Sequence, residues 1–356
     1  PIGPIMMIDT AGLSDTSKLG ELRREKTIEV LNKTDIAILV IDPTYSNLIL
    51  EKDLVSQLNK KNIPVLGVLN KIDLIKESKE IKKELEKHLD INFISLSNKD
   101  NKSIDLLKST LAKIIPNEDD KFKIVGDLIS PGDFVVLVTP IDKAAPKGRL
   151  ILPQQQTIRD ILESDAMAIV TKEFELRDTL LKLGTKPKLV ITDSQVFLKV
   201  SADTPKNILM TSFSILFARY KGDLNSLILG AKKIAKLKDG DRILIAEGCT
   251  HHHQSDDIGT VKIPRWIRQL TGKKLEFHHV SGVQFTKDIQ QFSLIVHCGG
   301  CMLNKRGMMH RIDSANEFSV PIVNYGVLIA YVHGILDRAL EPFPLAKIIW
   351  NKKELI

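Results

Sequence analysis

The sequence predicts an α/β protein of three consecutive units with mainly parallel sheets, and three observations carry that prediction. Short apolar β-forming runs alternate with amphipathic helical stretches along the whole chain. The runs are continuously apolar, as strands covered on both faces are. Breaks near 116–120 and 205 divide the alternation into three stretches, and 356 residues exceed what one core usually holds.

In the first stretch, Ile5–Ile8, Ile36–Ile41, Val65–Leu69 and Phe93–Leu96 read as strands. Helices are expected near Leu19–Leu31, Leu48–Lys60, Lys79–His88 and Ile104–Ile115. Strands separated by helices of this length imply right-handed crossovers and a parallel sheet. Pro116-Asn117-Glu118-Asp119-Asp120 interrupts the pattern as a linker. The second stretch has strands at Phe134–Val138, Ala168–Val170 and Leu189–Thr192 and helices near Gln155–Glu163 and Glu175–Leu183. In the third, strands fall at Ile243–Ala246, Leu294–Val296 and Pro321–Asn324, and helices near Ser212–Tyr220, Leu224–Lys236, Pro264–Thr271 and Val327–Leu340. The expected domains are 1–118, 119–208 and 209–356.

The composition, 43% hydrophobic and 27% charged, is that of a soluble globular protein. A net charge of +7 comes from lysines spread over helical stretches, so nucleic acid is a disfavoured partner. No apolar run reaches the ~18–20 residues of a membrane span, and no cleavable leader is visible. A reducing, cytoplasmic location follows, with cysteines available as ligands. The chain opens on Pro1-Ile2-Gly3-Pro4 without a methionine and reads as a piece of something longer.

Two motifs point to a guanine nucleotide. Asp9-Thr10-Ala11-Gly12 follows the first expected strand, where a DxxG aspartate lies near Mg²⁺ and its glycine N–H near a γ-phosphate. Asn70-Lys71-Ile72-Asp73 follows the strand Val65–Leu69; in NKxD the aspartate accepts from the guanine N1–H and exocyclic amine. Ser95-Leu96-Ser97-Asn98-Lys99 resembles the loop that supports the base, and Ser97 joins the candidate GTP site of Asp9, Gly12, Asn70, Lys71 and Asp73. Alone, each match could be a helix cap or polar turn; their order, spacing and strand context favour the nucleotide. The phosphate loop GxxxxGK[ST] is absent, so this polypeptide is not expected to hydrolyse GTP on its own.

All three cysteines lie in Cys249-Thr250-His251 and His297-Cys298-Gly299-Gly300-Cys301, each after an expected strand. Parallel strands would deliver both segments to one sheet edge. A CxxC serves redox, zinc or iron–sulfur chemistry; redox use is disfavoured because the third cysteine and the histidines come from far away in sequence. A closed Cys₃His zinc site remains the alternative to an iron–sulfur cluster.

With both motif sets in hand, the chain resembles the HydF family of [FeFe]-hydrogenase maturation GTPases, whose hallmark is CxH followed, some fifty residues on, by HCxxC. The likeness extends through Leu152-Pro153-Gln154, Ile191–Gln195, Thr211–Arg219, Asp257-Ile258-Gly259, Val261–Trp266 and Pro321–Gly326. It implies a P-loop GTPase-like domain, a dimerisation domain and a domain holding a [4Fe–4S] cluster on Cys249, Cys298 and Cys301. The fourth iron would take an exchangeable ligand, with His251, His297 and Asp257 as candidates and His252 and Asp256 competing. The resemblance further implies GTP and Mg²⁺, K⁺ stimulation, and a homodimeric scaffold. That scaffold would receive a diiron precursor assembled with the radical-SAM maturases HydE and HydG and pass it to the apo-hydrogenase. The rival reading is a tRNA-modification-type GTPase with a structural zinc.

Other residues have plainer expected roles. Met302, Met308 and Met309 are expected to pack, and His253, His278, His279 and His333 to be structural or solvated. Arg219 and Lys221 have two readings, contact with a partner or cargo and, more commonly, a helix-end charge.

Overall fold

The computed structural model describes residues 5–10, 27, 30–44, 47–114, 123–141, 150–248, 257–282, 285–286, 288–301 and 303–352. By internal contacts the chain divides into Pro1–Glu118 and Asp119–Ile356.

Short β-branched runs pair into three sheets, and every described pairing is parallel. In the first unit β1 (Ala37–Ile41), β2 (Val65–Leu69) and β3 (Phe93–Ser95) form a sheet in that order. Helices Ile49–Lys60, Ser78–Leu89 and Asn101–Ile114 connect and cover it. The buried side chains Leu58, Leu69, Leu85 and Phe93 come from alternate faces of these elements.

The segment Ile5–Ile8 departs from expectation. It is exposed and forms no strand, so Asp9 stands exposed rather than at a sheet edge. A strand needs a neighbouring ladder for its backbone groups, and no described strand offers one. The helix expected near Leu19–Leu31 and the motif residue Gly12 fall largely or wholly outside the described residues.

The second unit holds two sheets around one continuous apolar core. Strands β4 (Phe134–Val138), β5 (Met167–Thr171), β6 (Leu189–Thr192) and β7 (Leu209–Ser212) are ordered β5-β4-β6-β7. Strands β8 (Arg242–Glu247), β9 (Glu276–Ser281), β10 (Leu294–His297) and β11 (Ile322–Asn324) are ordered β11-β10-β8-β9. The division drawn from sequence at 208/209 falls inside the first of these layers, because β7 pairs with β6 from Leu189↔Leu209 to Thr192↔Ser212.

The expected helix Val327–Leu340 is two, Tyr325–Val332 and Leu336–Ala339. Gly334 adopts φ +71 between them and ends the first as a left-handed cap. Strand β9 was not legible as a strand because it is a half-exposed edge rich in polar residues. Met308 is buried and Met309 packs against the core. Among the described residues no helix is long and apolar enough to cross a membrane.

Candidate functional site

In the first unit the loops after three parallel strands meet. The Asn70 amide donates to the Ile41 carbonyl at 2.9 Å, tying the end of β2 to the end of β1. Lys71 then turns the chain through the left-handed region, φ +55, into the single turn Ile72–Leu74. Its ammonium reaches Asp42, just past β1, at 2.6 Å. Asp73 accepts from Ser97 Oγ at 2.8 Å and from Lys99 Nζ at 2.7 Å, both past β3. Lys99 first and then Ser97 hold the Asp73 carboxyl below its usual range, and Lys71 does the same for Asp42.

The structure thus brings together Asn70, Lys71, Asp73 and Ser97 of the predicted site. The Lys99 side chain is 79% exposed, so its ion pair with Asp73 is a weak surface pair that the N–H donors of a base could replace. Asn70 Oδ1 is buried and has no hydrogen-bond partner among the described residues, a need that a ligand or further backbone would meet. Sequence reasoning missed Asp42; its place just beyond the carboxyl end of a parallel strand was the available signal.

In the second unit β8 and β10 lie side by side with His297 opposite Ala246. The Cys298 amide donates to the Ala246 carbonyl at 2.9 Å, extending the ladder by one bond. Cys298 Sγ then accepts from the Gly248 amide at 3.1 Å and the Gly300 amide at 3.4 Å. Gly300 sits at φ +61, a conformation that glycine adopts at little cost and that brings its N–H round to the sulfur. Two backbone donors on one sulfur favour the thiolate. Cys298 and Cys301 are not in a disulfide, and both are partly buried. Cys249, His251, His252, His253 and Asp256 lie outside the described residues; among those described, no three metal-ligating side chains converge.

Two fourth-ligand candidates are engaged elsewhere. His297 is fully buried, with Nε2 2.8 Å from Arg311 Nη1 and Nδ1 2.7 Å from the Cys298 carbonyl. A guanidinium can only donate, so Nε2 accepts, and Nδ1 carries the proton that it gives to Cys298. Burial, and then the charge of Arg311, push its pKa down to about 3. Asp257 caps the turn Ile258–Lys262, its Oδ2 accepting from the Thr260 amide at 2.9 Å and the Thr260 hydroxyl at 3.0 Å.

Behind the loop lie groups that the sequence reading did not single out for this site. Arg311, buried, donates its other arm to the Gly282 carbonyl at 2.8 Å. Glu247, also buried, accepts from the Tyr325 hydroxyl at 3.0 Å. Burial first, and then the Glu247 charge, push the Tyr325 phenol well above its usual range, so it stays a donor. Lys221 reaches the carbonyls of Leu303, Cys301 and Gly300 at 2.8, 3.1 and 3.4 Å. Lys221 lies 77 positions before Cys298, and helices end in lysine too often for sequence to tie it to this loop.

The fold and these sites define a P-loop-GTPase-like α/β unit followed, in the same chain, by a unit carrying a thiol loop. Profiles of two consecutive domains match the second unit: the hydrogen maturase F dimerization domain at residues 124–222 and the hydrogen maturase F tetramerization domain at 225–342. The chain belongs to the hydrogen maturase F family.

Among curated proteins it is similar to GTPase Der of Wolinella succinogenes, 30% identical over 121 residues, covering 32% of this chain and 26% of that protein. GTPase Era of Thermoanaerobacter sp. strain X514 is 30% identical over 118 residues, 32% of this chain and 38% of that protein. The tRNA modification GTPase MnmE of Carboxydothermus hydrogenoformans is 30% identical over 118 residues, 33% and 25% respectively. The chain therefore spans well under half the length of these relatives. The matched lengths are the size of the first unit, whereas the thiol loop lies within the range of the second profile.

Proposed function

We propose that this protein is a GTPase scaffold of [FeFe]-hydrogenase maturation. It would hold a [4Fe–4S] cluster on Cys249, Cys298 and Cys301 and hand a diiron precursor to the apo-hydrogenase. The observation that carries the reading is the 3.1 Å contact between the Gly248 amide and Cys298 Sγ. Gly248 is the residue before Cys249, so the backbone leading toward the first cysteine segment touches the second, although 48 residues, 250–297, lie between Cys249 and Cys298 in the sequence. The donor chemistry fits such a cluster: soft thiolates, with amide N–H groups aimed at sulfur and two glycines that let the loop close.

When bound, the cluster supplies an iron with an exchangeable coordination position. The residues of the chain do the rest. Backbone amides of Gly248 and Gly300 hold the Cys298 thiolate, and the Arg311–His297–Cys298 chain orients the loop. Both ring nitrogens of His297 are engaged within the chain and Asp257 Oδ2 caps a turn, which favours a fourth ligand from His251 or its neighbours, or from cargo.

In the first unit, Asp73 and Asn70 read guanine, and holding Mg²⁺ and hydrolysing GTP require a phosphate loop in addition. Nucleotide turnover then regulates exchange of the partners, the HydE and HydG maturases and the hydrogenase. Self-association through the 124–222 and 225–342 regions, and a reducing cytoplasmic setting that keeps the thiols available, belong to the same proposal. The relative that modifies tRNA is similar over a length no greater than a third of this chain. The two profiles that match the thiol-bearing unit are both hydrogen maturase F domains, which favours the scaffold over a tRNA-modifying role with structural zinc.

Anaerobic reconstitution with iron and sulfide tests the reading. The expected product is brown with broad absorption near 400 nm (roughly, as thiolate–iron charge transfer gives), and serine at any one of the three cysteines abolishes iron retention. A colourless protein carrying zinc, or iron content unchanged in all three variants, rejects it.

A further inference from the structure

We propose that Lys221 is a positioning residue. It ties the cysteine loop to the last turn of the helix Phe213–Lys221 and sets a compensating positive charge beneath the thiolates. The inference rests on the iron–sulfur reading above and deepens it.

Lys221 is only 9% exposed, and lysine is rarely buried without strong partners. Its ammonium lies 5.4 Å from the Phe217 ring centroid and donates into the loop at 2.8 Å to Leu303, 3.1 Å to Cys301 and 3.4 Å to Gly300. Three donors on one nitrogen match three carbonyls gathered from four consecutive residues. A lysine at a helix end ordinarily serves its own last carbonyls; this one crosses to another segment.

The consequence for the sulfur is geometric. Holding the Gly300 carbonyl fixes the peptide that follows Gly300 and with it the left-handed turn, φ +61, whose own N–H meets Cys298 Sγ at 3.4 Å. Together with Gly248, this forms the pair of donors that the thiolate uses. The consequence for charge is electrostatic. A thiolate-ligated cluster is anionic and gains a further negative charge on reduction, so a fixed cation in a low-dielectric wall favours the reduced form.

Lys221 also joins two regions. It ends the helix that completes the dimerization match at 124–222, and the carbonyls it holds belong to the next match, 225–342. One side chain thus carries the geometry of the dimerization region to the thiols.

The test compares wild type, Lys221→Met, Lys221→Arg and Cys298→Ser in the full-length protein, reconstituted anaerobically with iron and sulfide. Readouts are iron loss to a chelator, the cluster's reduction potential and its electron paramagnetic resonance spectrum when reduced. Lys221→Met should lose iron about 10–100-fold more readily, the range for residues that orient ligands. Its potential should shift negative and its spectrum change, with the dimer intact. Lys221→Arg should restore most of the potential while leaving iron retention impaired, because a planar fork cannot satisfy the same three carbonyls.

Wild-type potential, spectrum and retention in Lys221→Met would overturn the proposal. So would a lower melting temperature of the iron-free protein with no change in the cluster. Should Lys221→Met not fold, Lys221→Gln takes its place, and an unshifted potential there overturns the charge role. Wild type that takes up no iron, as Cys298→Ser is expected to behave, would sink the underlying cluster reading instead.

Discussion

Gly230 lies in the helix Leu224–Lys233 where it crosses β11 with no side chain between backbones. A Cβ there would overlap the Ile322 carbonyl oxygen and lie 2.5 Å from its carbonyl carbon and 3.1 Å from the Val323 nitrogen. Carbon–carbon contacts settle near 3.5–4.0 Å, so Gly230→Ala forces helix and strand apart by about 1 Å. The atoms in the way are backbone and cannot rotate aside.

Overpacking of this kind costs about 1–3 kcal/mol or more, against a helix-propensity gain of about 1 kcal/mol for alanine over glycine. Because the obstructing atoms are backbone, the upper end of that cost applies, and the net expectation is a loss of about 2 kcal/mol. That corresponds to a melting temperature lower by about 4–8 °C for a unit of this size. Scanning calorimetry on the iron-free protein measures it, with the half-exposed Leu229→Ala as a control that should move little. Because β11 flanks β10, which leads into Cys298, iron retention should fall in parallel. A Gly230→Ala protein that melts at or above wild type would refute the reasoning, since propensity would then outweigh the clash.

Three other outcomes are expected. In a full-length protein carrying a phosphate loop, Asp73→Asn should abolish the preference for guanine over adenine nucleotides in equilibrium binding; unchanged discrimination would contradict the NKxD assignment. Arg311→Leu leaves one buried acceptor, His297 Nε2, and one partly buried acceptor, the Gly282 carbonyl, without their donor. At about 1–3 kcal/mol for each, less the relief of a buried charge, denaturant midpoints should report a loss of about 2–4 kcal/mol. Arg338→Ala frees the carbonyls of Ser201, Thr204 and Pro205 that its guanidinium collects. Being partly solvated, they should cost less than the Arg311 pair in the same measurement.

Hydrophobic pattern and spacing alone carried the class, most of the strands, and the two cysteine segments at strand ends. These are local signals: continuous apolar runs such as Val135–Val138, and motif residues such as Asn70–Asp73, are written in consecutive positions. What went unread depended on partners distant in the chain. Ile5–Ile8 has strand composition but no ladder, and β9 has a ladder but not the composition. His297 has the sequence context of a ligand, but in the fold Arg311, on the helix Lys305–Glu317, donates to its Nε2. Lys221 looked like an ordinary helix end until the fold set three carbonyls around it. Periodicity tells which face of an element is buried; only tertiary packing decides which polar groups share that burial, because their hydrogen bonds close between segments far apart in sequence.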